Sequence, residues 1–263
     1  MTIENDVLIE QEGEVAAITL NRPDKHNAFD DKLIAYLTST LRDMAHDASI
    51  GAVLLQAEGP SFSAGADANW MQRMAEFTET ENVKDADALA GLMATLDDMP
   101  KPTIARVQGP AIGGGVGLVA CCDIAIAAED AFVQLSEVRL GLTPATISPF
   151  VIRAIGGRAA RRYFLTAERI DAETAKQIGL FHEVVPGDEL DDAVAKVLNH
   201  LSKGGRQAKR LSKKLIADVR DFEPAAMRST TVQQIAKART SPEGQEGLSA
   251  FLEKRKPDWV KDD

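Results

Sequence analysis

TIARVQGPAIGGGVGLVACCDIAIA, residues 103–127, decides the fold. Thr103–Val107 is a short run of strand-forming residues, and Ile124–Ala127 is another. Between them stand the glycines Gly113-Gly114-Gly115-Val116-Gly117 and the apolar, helix-like Leu118–Cys122. A strand, a glycine turn, a helix and a second strand in 25 residues form the unit of an α/β sheet. Working outward, Val7–Glu10 and Glu14–Leu20 read as a hairpin turning at Gln11-Glu12-Gly13. Asp30 can cap a helix whose apolar positions Leu33, Ile34, Leu37, Leu41 and Met44 keep the 3.6-residue period. Ala52–Gln56 is a buried strand, followed by the small-residue loop from Glu58 to Asp67. A polar stretch, Thr78–Asp87, is expected to separate Trp70–Phe77 from a helix carrying Leu89, Leu92, Met93, Leu96 and Met99, which Pro100 and Pro102 end. Past Leu190 the strand-like runs stop and the pattern is helical, with breaks at Gly204-Gly205 and Glu223-Pro224. The expected domains are a core over residues 1–200 and a helical region over 201–263.

Composition narrows the function. With 263 residues and 44% hydrophobic side chains, about 70–75% of the extended chain's surface can be buried, so no staple is needed. The two cysteines, Cys121 and Cys122, are adjacent and exclude a disulfide framework. No apolar run approaches the ~20 residues that span a membrane. The acidic opening MTIENDVLIE lacks the form of a signal peptide, so a cytoplasmic location is expected. A formal charge of −10 argues against nucleic-acid or anionic-membrane partners. The basic run Lys203–Lys214 reads as a solvated helix face.

Several chemistries drop out. The four histidines are scattered without an i,i+4 pair, so no metal site is expected. Ser61 and Ser63 lie outside any G-x-S-x-G elbow. Gly115-Val116-Gly117-Leu118-Val119-Ala120 formally satisfies a dinucleotide fingerprint, with Glu137 22 residues beyond Gly115. Five residues between Val107 and Gly113 are too many for that tight turn.

The same glycines can act as amide donors. A helix that starts after consecutive glycines presents unpaired N–H groups and the positive end of its dipole. Ala64-Gly65-Ala66-Asp67 offers a second such set. Two of these facing one another would hold an oxyanion, such as the enolate of a thioester. Glu137, flanked by apolar residues in Leu135–Gly141, is the candidate acid–base group if burial raises its pKa.

Together, Leu20–Phe29, Ser61–Asp67, Gly113–Gly117 with Cys122–Ala125, and Ser136–Leu142 resemble the crotonase superfamily, the enoyl-CoA hydratases and isomerases, over nearly the whole chain. Phe62–Trp70, Gly114–Ala127, Leu135–Pro149 and Arg161–Leu180 are most similar to bacterial methylglutaconyl-CoA and isohexenylglutaconyl-CoA hydratases. The resemblance implies an α/β spiral of strand-strand-helix turns. It also implies a C-terminal helical region used in trimer contacts, and a homotrimer or a hexamer of two trimers. Ala66 and Gly114 should supply the oxyanion-hole amides, and Glu137 the catalytic carboxylate. Lys25, Ala28, Ala64, Asp67, Ala68 and Asn69 should lie along coenzyme A, which enters as the thioester substrate, with no separate cofactor. Phe251 and Lys254 resemble terminal residues that reach coenzyme A on a neighbouring subunit. Typical hydratases carry a second glutamate just after the glycine run; here that position is Gly117. The implied activity is hydration or dehydration of a branched, carboxylated enoyl-CoA. A Δ3/Δ2-enoyl-CoA isomerase working with Glu137 alone, or a non-catalytic CoA-ester binder, is the alternative. Arg139 is a candidate counter-ion for a substrate carboxylate, and Trp70, Met71 and Met74 either line the acyl pocket or pack beneath it.

Overall fold

A computed structural model describes residues 5–220 and 224–260. The strand run of the sequence becomes a six-stranded sheet in the order β1-β2-β3-β4-β6-β9. β1 (Val7–Glu12) and β2 (Val15–Leu20) form an antiparallel hairpin. β3 (Ala52–Ala57), β4 (Thr103–Val107), β6 (Ile124–Ala128) and β9 (Glu183–Val185) then add in parallel. Parallel neighbours need crossovers. α1 (Asp31–His46) makes the first, and α2 (Ala68–Met74) with α3 (Glu79–Asp97) the second. β5 (Ala111–Ile112) and α4 (Gly114–Cys121) make the third. A smaller sheet pairs β5 with β7 (Phe132–Gln134) in parallel, and β7 with β8 (Ile170–Asp171) antiparallel. α5 (Ser148–Thr166) and α6 (Ala172–Gln177) follow, and then the helical tail. That tail is α7 (Leu190–Ser202), α8 (Arg206–Arg220), α9 (Pro224–Thr240) and α10 (Pro242–Glu253). This is the mixed α/β architecture expected from the strand–helix alternation. Among the described residues no helix is long and apolar enough to cross a membrane.

Local chemistry explains most boundaries. Asp30 caps α1 by accepting from the Leu33 N–H at 3.0 Å, and all five apolar positions read from the sequence are buried. Leu92, Met93, Leu96 and Met99 are buried as well. The hairpin turn sits at Gly13 and Glu14, two residues later than expected, because Gly13 takes φ +56° and lets β1 run on to Glu12. The glycine run starts α4 itself rather than preceding it.

The polar stretch from Thr78 corrects the sequence reading: it is the first half of α3, not a linker. Thr78 and Glu81 form a reciprocal capping box, and acidic residues in the first turn suit the helix dipole. The contact pattern divides the chain within α7, after Val194 rather than at residue 200. One unit runs up to Met99 and through Thr103–Val194; the other joins Pro100–Pro102 to the chain from Ala195 onward. The expected break at Gly204-Gly205 falls between α7 and α8. That at Glu223-Pro224 touches Glu223, outside the described residues. Removing the α3 cap with Thr78→Ala should cost about 1 kcal/mol, read as a lower urea midpoint with an unchanged slope.

Candidate functional site

The site is built where two loops are tied side by side. Ser63 donates its N–H to the Pro110 carbonyl at 3.1 Å and accepts from the Ile112 N–H at 2.8 Å, a strand-like pairing with β5. On its other side the same loop pairs with Phe29: the Phe29 N–H donates to Gly65 and the Asp67 N–H to Phe29. Each loop then makes a glycine turn in the left-handed region, Gly65 at φ +82° and Gly113 at φ +54°. In both cases the next residue's N–H, that of Ala66 or Gly114, has no acceptor among the described residues. The two turns abut, since a Cβ on Gly65 would lie 2.8 Å from the Ile112 carbonyl oxygen and 3.4 Å from the Gly114 nitrogen. Gly114 also begins α4, so the helix dipole adds its positive end. A side chain there would overlap the Phe29 ring.

Glu137 arrives at the same turn from β7. The Gly113 N–H donates to the Gln134 carbonyl at 2.9 Å, fixing the end of β7 against the glycines. Three residues on, Glu137 opens a 3-10 turn, Glu137–Leu140, that Gly141 closes at φ +72°. Glu137 Oε1 would lie 3.3 Å from a Cβ on Gly113, and Oε2 is buried with no hydrogen-bond partner. Burial pushes its pKa above the usual glutamate value, against a smaller opposing pull from its own backbone N–H. A carboxyl group that is hard to ionise, beside two free N–H groups, can take and return a proton where an oxyanion forms.

The chain is similar to known proteins along nearly its whole length. Residues 10–262 match the sequence profile of the enoyl-CoA hydratase/isomerase family. The chain belongs to that family. Its fold is similar to that of an enoyl-CoA hydratase crystal structure from Shewanella pealeana, with TM-score 0.94 and 45% identity over 97% of this chain and 96% of that one. The 2,3-dehydroadipyl-CoA hydratase of Escherichia coli is 30% identical over 256 residues, covering 97% of this chain and 98% of the relative. The short-chain-enoyl-CoA hydratase of Clostridium acetobutylicum is 30% identical over 259 residues, 98% of each chain.

Within this hydratase/isomerase chain, the other expected site residues are placed unevenly. Ala28 is buried and Ala64 half-buried; Ala68 and Asn69 are exposed at the start of α2. Asp67 is buried with both carboxylate oxygens taken by the protein. One accepts from the Asn69 and Trp70 N–H groups as the α2 cap, and the other meets Lys25 at 3.0 Å and Arg22 at 3.2 Å. Burial pushes the Asp67 carboxyl up, but the Lys25 ammonium and the cap N–H groups outweigh it and hold the pKa below the usual range. Lys25 is thus partnered, though half of its side chain is exposed. In the second unit, Phe251 is 79% exposed near the end of α10, and Lys254 closes that helix at φ +55°. Arg139 donates to the Ala167 carbonyl at 2.8 Å, a structural bond. Trp70 is buried and donates its indole N–H to Asp85.

No local sequence pattern points to Ile147. A Cβ on Gly117 would overlap Ile147 Cγ2 and lie 3.1 Å from Met93 Cε, and both side chains are buried. The place of a second glutamate is therefore filled with hydrocarbon, and Glu137 is the carboxylate at the paired turns. Gly117→Ala should cost about 1–3 kcal/mol by overpacking. Adding Ile147→Ala should recover part of that loss in a double-mutant cycle of denaturation midpoints.

Proposed function

We propose that this enzyme adds water across, or removes it from, the C2–C3 bond of an enoyl-CoA thioester, using Glu137 as its one acid–base carboxylate. The observation that carries the reading is the meeting of two unpaired N–H groups, Ala66 and Gly114, on abutting turns with a half-buried glutamate whose Oε2 is buried and unpaired. In the hydration direction, ionised Glu137 accepts a proton from water as the water oxygen bonds to C3. The π electrons of C2–C3 move into the thioester, and the enolate oxygen is held by the two N–H groups. Protonated Glu137 then gives its proton to C2 and is ionised again. The substrate class is a branched enoyl-CoA with a distal carboxylate, of which 3-methylglutaconyl-CoA is the prime case. The sequence resemblance supports that choice, and the substrate's own carboxylate can help hold the water where Gly117 and Ile147 leave no second glutamate. Coenzyme A is carried as part of the substrate, with no separate cofactor, and Lys25 lies beside the loop expected along it.

Product masses of the protein incubated with 3-methylglutaconyl-CoA test this. A gain of one water is expected in the wild type, and its loss by orders of magnitude in Glu137→Gln with KM little changed. An unchanged mass with a moved double bond would replace hydration with isomerisation. Because the ionised form does the work, the acid limb of kcat/KM should lie above pH 4.5, with the rate falling as pH drops through the raised pKa. The stability sign runs the other way. A raised folded pKa means ionisation weakens the fold as pH climbs past the ordinary carboxylate value. Glu137→Gln should therefore melt higher than wild type at neutral pH, and the gain should vanish below about pH 4.5.

The proposal includes the assembly. Phe251 and Leu252 at the end of α10 are 79% and 77% exposed, a large apolar surface for one helix end. A trimer or hexamer is expected in sedimentation, and a monomer would overturn this part of the proposal.

A further inference from the structure

We infer that Arg22 is a positioning residue for the reaction, because one guanidinium ties together the two segments that hold the Ala66 N–H in place. The inference rests on the proposed role of that N–H. Arg22 is nearly buried, its side chain 9% exposed, and it sits among three carboxylates. Asp6 and Asp30 each stand at 3.6 Å and Asp67 at 3.2 Å. Asp30 caps α1 and Asp67 caps α2, so the cation lies between two helix N-termini. A cation is unfavourable at such ends; the two capping carboxylates offset that, and the cation relieves their mutual repulsion.

The connections define what the cation holds. One Arg22 nitrogen donates to the Ala28 carbonyl at 2.8 Å, and the backbone N–H donates to Asn27 Oδ1 at 2.8 Å. Asn27 is fully buried and in turn donates to the Glu58 and Ser61 carbonyls. Ser63 donates its hydroxyl to the Asn27 carbonyl, and the Ala64 N–H donates to His26. Segment 22–29 is thus the frame against which loop 61–67 is built, and Arg22 fixes it near Ala28. The other fork of the same group grips Asp67, the residue after Ala66. Ala66 is pinned on both sides, by the Phe29–Gly65 bond before it and by the Asp67 bonds to Phe29 and Arg22 after it. A lysine cannot replace this. Its compact ammonium lacks the planar fork that serves a carbonyl and a carboxylate in two directions.

The test is Arg22→Lys, with three readouts. Turnover should fall at least about tenfold with KM changed less than about threefold, since misplacing one donor harms the transition state more than binding. Cinnamoyl-CoA bound by the wild type should absorb to the red of the free thioester as its carbonyl is polarised. Bound to the variant, it should show a smaller shift. A melting curve taken alongside reports the folded fraction. Retained turnover with the full red shift overturns the inference, as does a loss of turnover that merely tracks the unfolded fraction. If Arg22→Lys does not fold, Asp67→Asn decides, because it keeps a capping oxygen and breaks the ion pair; the same split and smaller shift are expected, and unchanged values overturn the inference. A wild-type protein that turns over no enoyl-CoA refutes the proposed function instead, and the absorption shift then still reads the role of Arg22.

Discussion

Everything at the site depends on the backbone at Gly65 and Gly113, where the chain must take positive φ. Each turn lifts the next N–H out of the neighbouring hydrogen-bond ladder; Gly65 is too close to backbone to carry a side chain, and a methyl group on Gly113 would press on Glu137. Between Gly65 and the Ile112 carbonyl, 2.8 Å would remain for a methyl group; between Gly113 and Glu137 Oε1, 3.3 Å. The sheet serves this pair of turns. β5 pairs with β7, which delivers Glu137, while the Ser63 bridge to Ala111 brings the Ala66 loop alongside.

Such a site is costly, because polar N–H groups left without partners and a carboxyl group left without a donor lower stability. The surroundings restrain the cost by pairing the polar groups next to the turns. Asp67 uses both oxygens, Asn27 uses its amide donors twice, and Gln134 and Arg139 share the Ala167 carbonyl. Among the described residues two buried side-chain oxygens lack a partner, Glu137 Oε2 at the paired turns and Gln108 Oε1, whose amide nitrogen donates to the Gly59 and Ser61 carbonyls.

Much of this was legible in the sequence, for identifiable reasons. α1 and the apolar half of α3 follow helical periodicity, and the strands β3, β4 and β6 are short, mainly apolar runs between turn residues. The unpaired N–H of Gly114 could be anticipated because a helix that opens on glycines leaves its first N–H groups without partners. Thr78–Asp87 was misread because charge looks like a linker when the capping pair is overlooked. Ile147 was invisible for a deeper reason. Its contact with Gly117 joins residues 30 apart, and no local pattern records which side chain fills a glycine's empty side. Arg22 lay in plain view beside Pro23, but its role comes from three aspartates that only the folded chain assembles.

The closed space above Gly117 has a consequence for descent. A glutamate acquired there in one step would overpack the site, since its first carbon already meets Ile147. A lineage moving between one-carboxylate and two-carboxylate chemistry on this backbone keeps more stability if it first shrinks the residue at 147 and then gains the acid at 117. The favoured order of the two changes is set by volume.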